Sequence, residues 1–196
     1  MQPPRDKSLD VLSAIRERRS IRSFLDKEVT ESEIRKIIEC GTLAPSAGNL
    51  QPWEFVVVRD KRRKGALAQA AYDQDFIAEA PVVIVVLANR ARSARVYGRR
   101  GSELYAIQDT AAAIQNMLLA AREMGYGACW VGAFDEDAVA EIVKAEPETK
   151  PVAIIPVGYA RHLPAARPRR KITEVVHEET YRGNVKERGN STNPGY

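Results

Sequence analysis

Arg18, Arg19, Ser20 and Arg22 fall together in ERRSIRSF, residues 17–24, and Phe24 follows at once. Guanidinium forks beside a hydroxyl are the groups that clamp an anion such as a phosphate. Cations at a helix C-terminus also complement its dipole, and that accounts for one or two of these arginines. A second stretch, LAPSAGNLQPWEF at residues 43–55, is poor in bulky side chains and rich in turn formers. Its Ser46, Asn49 and Gln51 offer the donors and acceptors that the edge of a flat pyrimidine-like ring would need. A plain helix-to-strand loop with turn residues is the other account. A third stretch, GYGACWVGAFD at residues 125–135, ends its apolar run on Gly132 and Ala133. Small residues there let a ligand sit against backbone N–H groups. A helix C-cap followed by a core strand suffices for Gly125 and Gly127. A fourth, ARPRRKITEVV at residues 166–176, carries Arg167, Arg169, Arg170 and Lys171. These are either a phosphate contact or a solvated basic linker.

Other chemistries lack their residues. The chain has no GxGxxG, no GxxxxGK[ST], no HExxH and no GxSxG. Its two histidines, His162 and His177, lie in the basic linker and the tail, so neither a zinc site nor a Ser-His-Asp triad is expected. Cys40 and Cys129 are far apart and match no CxxC pattern, so both read as buried free thiols. An iron–sulfur cluster would need more ligands. A bound cofactor carrying the chemistry is what remains.

The elements that must position these residues are readable from periodicity. Ser8 to Arg19 reads as a helix, with Leu9, Leu12 and Ile15 at three-residue spacing. Thr30 and Glu33 form a capping box, Val29 and Ile34 a staple, and the helix they start ends near Gly41. Glu54 to Val58 reads as a strand and Lys61 to Ala71 as a short helix. Pro81 to Leu87 is a continuous apolar run, hence a strand covered on both faces. Arg90 to Gly101 reads as a basic loop holding Tyr97. Ser102 to Met124 is the longest helix, and Ala111 to Ala113 and Ala120 to Ala121 predict close helix approach around it. Ala128 to Phe134 and Val152 to Tyr159 read as strands, with Asp135 capping a helix that runs to Lys144. Helices and strands mix without strict alternation, which predicts an α+β fold. The expected organisation is one domain over residues 1–180 and a polar tail over 181–196.

At 196 residues the chain can bury one sizeable core, and 44% hydrophobic with 29% charged residues is ordinary for a globular domain. No apolar run reaches the roughly 18 residues of a membrane span. The start, MQPPRDKSLD, has no signal-like apolar region, so a cytoplasmic protein is expected. The net charge of +4 is concentrated at Arg16–Arg22, Arg90–Arg100 and Arg161–Lys171. Nucleic-acid binding would want aromatics interleaved with these cations, and Tyr97 is the only one there.

Basic RRSIR, then APSAGNLQPW, then a long helix, then the glycine-strand motif, then RPRRK: in this order the motifs resemble the nitroreductase family of FMN-dependent oxidoreductases. The resemblance runs from about Leu9 to His177, and the first two motifs carry most of it. It implies a three-layer α-β-α fold with a mostly antiparallel central sheet and a long central helix. It also implies a homodimer with active sites at the subunit interface and a C-terminal arm exchanged with the partner. Arg18, Arg19 and Ser20 would serve the FMN phosphate and ribityl chain, and Arg22 the flavin pyrimidine. Pro45, Ser46, Asn49 and Gln51 would reach the flavin bound mainly by the neighbouring chain. Val131, Gly132 and Ala133 would line the ring, the last two with their backbone at N5, and no side chain would be catalytic in its own right. Arg169 or Arg170 would meet the phosphate; the family's proline-leucine pair after these residues is replaced here by Ile172 and Thr173, which leaves the register open by one residue. NAD(P)H would reduce the flavin and leave, and a small acceptor such as a nitroaromatic or quinone would follow it. Arg92, Arg95 and Tyr97 are expected to wall the acceptor pocket, against the alternative of a solvated loop. The same fold also serves dehalogenases, enone reductases, azoline dehydrogenases and flavin-cleaving enzymes. A flavin-binding protein without turnover, or a basic nucleic-acid-binding module, is the alternative outside enzymes.

Overall fold

The computed structural model describes residues 10–181. Ser8 and Leu9 of the first expected helix, and the tail after Tyr181 with its expected arm exchange, lie outside the described residues. The chain divides into two units, one ending at Pro164 and one beginning at Ala165.

The first unit is built on a four-stranded antiparallel sheet in the order β1-β2-β4-β3. The strands are β1 (Trp53–Val58), β2 (Val82–Asn89), β3 (Gly127–Ala128) and β4 (Thr149–Gly158). β2 sits between β1 and β4, which is why its apolar run shows no alternation. Val83, Val85 and Leu87 enter one core cluster while Val82, Ile84 and Val86 enter the other. The first cluster takes Leu67 and Ala68 from α3 (Lys61–Ala70), Ile77 from α4 (Phe76–Glu79) and Val139 from α7 (Glu136–Val143). The second takes Ile34 and Ile37 from α2 (Glu31–Thr42), and Ile114, Met117, Leu118 and Ala121 from α6 (Ala106–Glu123). Helices therefore cover both faces of the sheet.

Local chemistry sets the element ends. α1 (Val11–Glu17) starts where Asp10 accepts from the Ser13 N–H. Thr30 and Glu33 form the reciprocal box at the start of α2. Asp135 accepts from the Ala138 N–H to start α7. Gly41 lies inside α2 and not beyond its end. A Cβ there would stand 2.7 Å from Met117 Cγ, so the glycine is spent on bringing α2 against α6.

Two expectations are corrected. Arg90 to Gly101 is not a loop: α5 (Arg90–Arg100) is helical, started by Asn89 accepting from the Arg92 N–H and bent at Gly98. Arginine is a good helix former, and only Ser93 of this helix is buried, so no apolar period announced it. A single π turn, Gly101–Tyr105, joins it to α6. The strand expected over 128–134 is paired continuously only at Gly127–Ala128, and pairing resumes at a bridge between Val131 and Ile154. Cys129 donates to the Pro156 carbonyl, but proline has no N–H to return, so the ladder breaks there.

The second unit, described as far as Tyr181, holds one 3-10 turn, Ile172–Glu174. Among the described residues no helix is long and apolar enough to cross a membrane.

Candidate active site

The expected site residues gather in two groups. In the first, residues 18–22 run beside β3. Ser20 bridges Ala128 in parallel register, and the Ile21 N–H donates to the Ala128 carbonyl at 3.0 Å. This approach requires Gly127, because a Cβ there would lie 2.6 Å from Ile21 Cγ1. Cys129 reports the result electrostatically. Burial pushes its thiol pKa up, while Arg22, a hydrogen bond with Ser20, and Arg18 each act to lower it. Arg22, Ser20 and Arg18 therefore all lie near enough to act on the Cys129 thiol. The Arg22 guanidinium also lies over the Phe76 ring, 5.8 Å from its centroid. Arg19 Nη1 donates to the Arg16 carbonyl at 2.7 Å and the Arg18 carbonyl at 3.0 Å at the C-terminus of α1, while its Nε is buried without a hydrogen-bond partner.

Val131 is buried and paired with Ile154, whereas Gly132 and Ala133 are exposed. Gln74 donates to the Ala133 carbonyl at 3.2 Å, and the Asp135 N–H donates to the Ala70 carbonyl at 2.8 Å, which pins the strip at its far end. Gly132 itself has no reason within the chain to be glycine. Its φ is not in the left-handed region, and an added Cβ would meet only Trp130 Nε1 at 3.9 Å. Among the described residues the backbone at Gly132 is therefore bare, with open space beside it.

The second group is the loop before β1. Ser46 Oγ accepts from the Gln51 N–H at 3.0 Å and closes it across a short 3-10 turn, Ala47–Asn49. Pro45, Asn49 and Gln51 are exposed on it. Tyr97 of α5 lies directly over it, with its hydroxyl 2.7 Å from where a Gly48 Cβ would be. Arg92 pairs with Glu54 at 3.8 Å, and Arg95 is exposed on the same helix. The expected acceptor-wall residues and the loop therefore form one surface.

Among the described residues, no hydrogen bond, ion pair or ring contact links the two groups. The cavity beside Arg18 and Arg19 measures about 50 Å³, room for a water and not for a tricyclic ring. In the second unit, Arg170 is engaged locally, donating to the Glu174 carboxylate at 3.3 Å and to its carbonyl at 2.8 Å. Both cysteines are free; Cys129 is buried and Cys40 half-buried.

Sequence reasoning missed Asp109 and Gln74, which hold the loop and the strip from neighbouring elements. Asp109 was findable. It shares the buried face of α6 with Ala106, Thr110 and Ala113, where a carboxylate needs a reason.

With this fold and these motifs, comparison with known proteins gives one family. The nitroreductase family profile matches residues 15–74 and 63–159, and the chain belongs to that family. A Methanothermobacter thermautotrophicus protein, provisionally named NADH dehydrogenase/NAD(P)H nitroreductase, is 36% identical over 163 residues, covering 81% of this chain and 82% of its own. The Bacillus subtilis FMN reductase (NADPH) is 28% identical over 189 residues, covering 90% of this chain and 76% of its own. The Vibrio harveyi NADPH:FMN oxidoreductase, solved in complex with NAD+, superposes with a TM-score of 0.80 at 28% identity, over 87% of this chain and 77% of that one.

Proposed function

We propose that the protein is an FMN-dependent oxidoreductase that takes reducing equivalents from NAD(P)H and delivers them to a small acceptor such as a nitroaromatic or a quinone. The carrying observation is Gly132: a bare, pinned strip of backbone with open space beside it, three residues along from Cys129, whose thiol feels Arg22, Ser20 and Arg18. That donor set fits a phosphorylated heterocycle, with cations for the phosphate and backbone N–H groups and small residues for the ring.

In this reading Arg18 and Ser20 hold the phosphate and ribityl chain. Arg22 lies nearer the pyrimidine and stabilises negative charge there in a site shielded from water. Val131 sets the height of the strip, and Gly132 and Ala133 present backbone to the ring. When bound, FMN supplies the hydride chemistry, accepting from NAD(P)H and returning to the acceptor. Pro45, Ser46, Asn49 and Gln51 belong to the site of a second copy, since among the described residues of one chain they share no hydrogen bond, ion pair or ring contact with the first group. Tyr97, Arg92 and Arg95 then stand at the entrance and favour flat or anionic visitors. The protein acts as a homodimer. Two free cysteines accord with a reducing, cytoplasmic setting.

The test is the visible spectrum of the purified protein before and after anaerobic NADH or NADPH. Flavin bands that bleach with reductant and return with a quinone are expected. A colourless protein that takes up no added FMN overturns the proposal.

A further inference from the structure

The loop at residues 46–51 is held in a form that its sequence does not favour. Gly48, Asn49 and Gln51 have φ of 58°, 56° and 50°. Glycine accepts the left-handed region freely and asparagine tolerates it, but glutamine has no such excuse. Such a conformation persists only where surrounding groups impose it. Within the loop, Asn49 donates to the Ser46 carbonyl, Leu50 to the Ala47 carbonyl, and Gln51 to Ser46 Oγ. These bonds close the loop on itself but do not fix it to the body.

One bond does. The Ala47 N–H donates to Asp109 Oδ1 at 3.1 Å, across 62 residues of sequence. Among the described residues it is the only hydrogen bond joining 46–51 to another element. Its acceptor is an odd choice for stability alone. Asp109 is 7% exposed on the core side of α6, and its Oδ2 has no partner. Burial raises its pKa, and the Ala47 bond offsets this only in part. A leucine or alanine would sit on that face without stranding an acceptor. The carboxylate is kept for what it holds.

We propose that Asp109 is a positioning residue: by fixing Ala47 it presets Ser46 and Asn49 in the geometry that meets the ring edge of flavin. This rests on the flavin reading above and adds the group that makes one half of the site rigid before anything binds. A preset loop does not have to be ordered on binding, so the ordering cost falls on folding instead.

The experiment uses the full chain and two readouts. Hydrogen–deuterium exchange of the flavin-free protein reports the loop by itself, and fluorescence titration with FMN reports binding. In Asp109→Leu, loop amides should exchange and FMN should dissociate about tenfold more readily, as expected for loss of a bond to a charged acceptor. Exchange in β2 should stay as in the parent. Asp109→Asn keeps an Oδ1 acceptor and should restore both readouts to within about threefold. Should Asp109→Leu not fold, Ala47→Pro removes the donor instead. Ser46 is extended, with φ −144° and ψ 152°, which suits a following proline. Ala47→Pro should weaken FMN binding to the same degree, and Ala47→Pro with Asp109→Asn should be no worse than Ala47→Pro alone. Loop exchange unchanged in Asp109→Leu overturns the proposal. So does exchange accelerated equally in loop and β2, or a loosened loop with FMN affinity unaltered. If the parent binds no FMN, the flavin reading fails, while loop exchange still tells whether Asp109 positions the loop.

Discussion

Gly132 and Gly48 are both exposed glycines in motifs that raised the same question, and the structure separates them. Gly132 is free of backbone and packing demands. Gly132→Ala should therefore leave urea unfolding within about 0.5 kcal/mol of the parent, while FMN affinity or the rate of NAD(P)H oxidation falls clearly. Equal activity in that variant would remove the ring from this strip. Gly48 has φ 58° and Tyr97 above it. Gly48→Ala should cost about 1–2 kcal/mol for the left-handed backbone alone. Tyr97→Phe should recover part of any further loss, read as a coupling energy in a double-mutant cycle. Arg19 has the chemistry to bind phosphate and also donates from Nη1 to two carbonyls at the end of α1.

Elements decide which of these residues meet. The segment at residues 18–22 can lie against β3 only because Gly127 is bare where Ile21 packs. Gly127→Ala should destabilise by about 1–3 kcal/mol through overpacking. It should weaken FMN binding as well, because Ser20 and Arg22 move with Ile21. Calorimetry and flavin titration of the same sample test both halves. At the start of α2, Thr30→Ala should cost about 0.5–2 kcal/mol. Glu33 of the same box has its pKa lowered, first by a hydrogen bond from the Tyr126 hydroxyl and then by Thr30. A lowered acid pKa stabilises the folded state above its unfolded value and loses that stabilisation as pH falls through the folded one. Glu33→Gln should flatten the acid limb of the stability curve below the usual glutamate range and leave its shape at neutral pH unchanged.

At the scale of the whole chain, an apolar helix face stands exposed. α1 covers Val11–Glu17 of the helix expected over 8–19, and only Ala14 of it is buried while Val11, Leu12 and Ile15 are exposed. Beside them a groove of about 360 Å³ is lined by Val11, Ala14, Cys40, Leu43, Leu119 and Ala120. A second copy of the chain is the occupant that would also complete the flavin site. Leu43, 80% exposed, should tolerate glutamate in the fold itself. Leu43→Glu should weaken association by roughly 2 kcal/mol, in the manner of a central interface residue. Light scattering should find monomer, and the monomer should have lost its flavin. A monomer that keeps FMN firmly bound would count against a shared site.

Much of the fold was legible. The capping box at Thr30 and Glu33, the unbroken apolar run of β2 and the small residues of α6 each follow from local rules: hydrogen-bond geometry, burial on two faces and close helix approach. The four motifs were legible too, because they are chemical types at short spacing. What sequence could not supply was anything settled by distant neighbours. The proline at 156, whose missing N–H breaks the β3 ladder, and the Asp109 bond to Ala47 act across many residues, while the helix at Arg90–Arg100 is capped locally but carries no apolar period. Sequence thus determined which groups could bind an anion and a ring. Tertiary packing decided which of them point at the same place, because side chains converge through long-range contacts that no local period records.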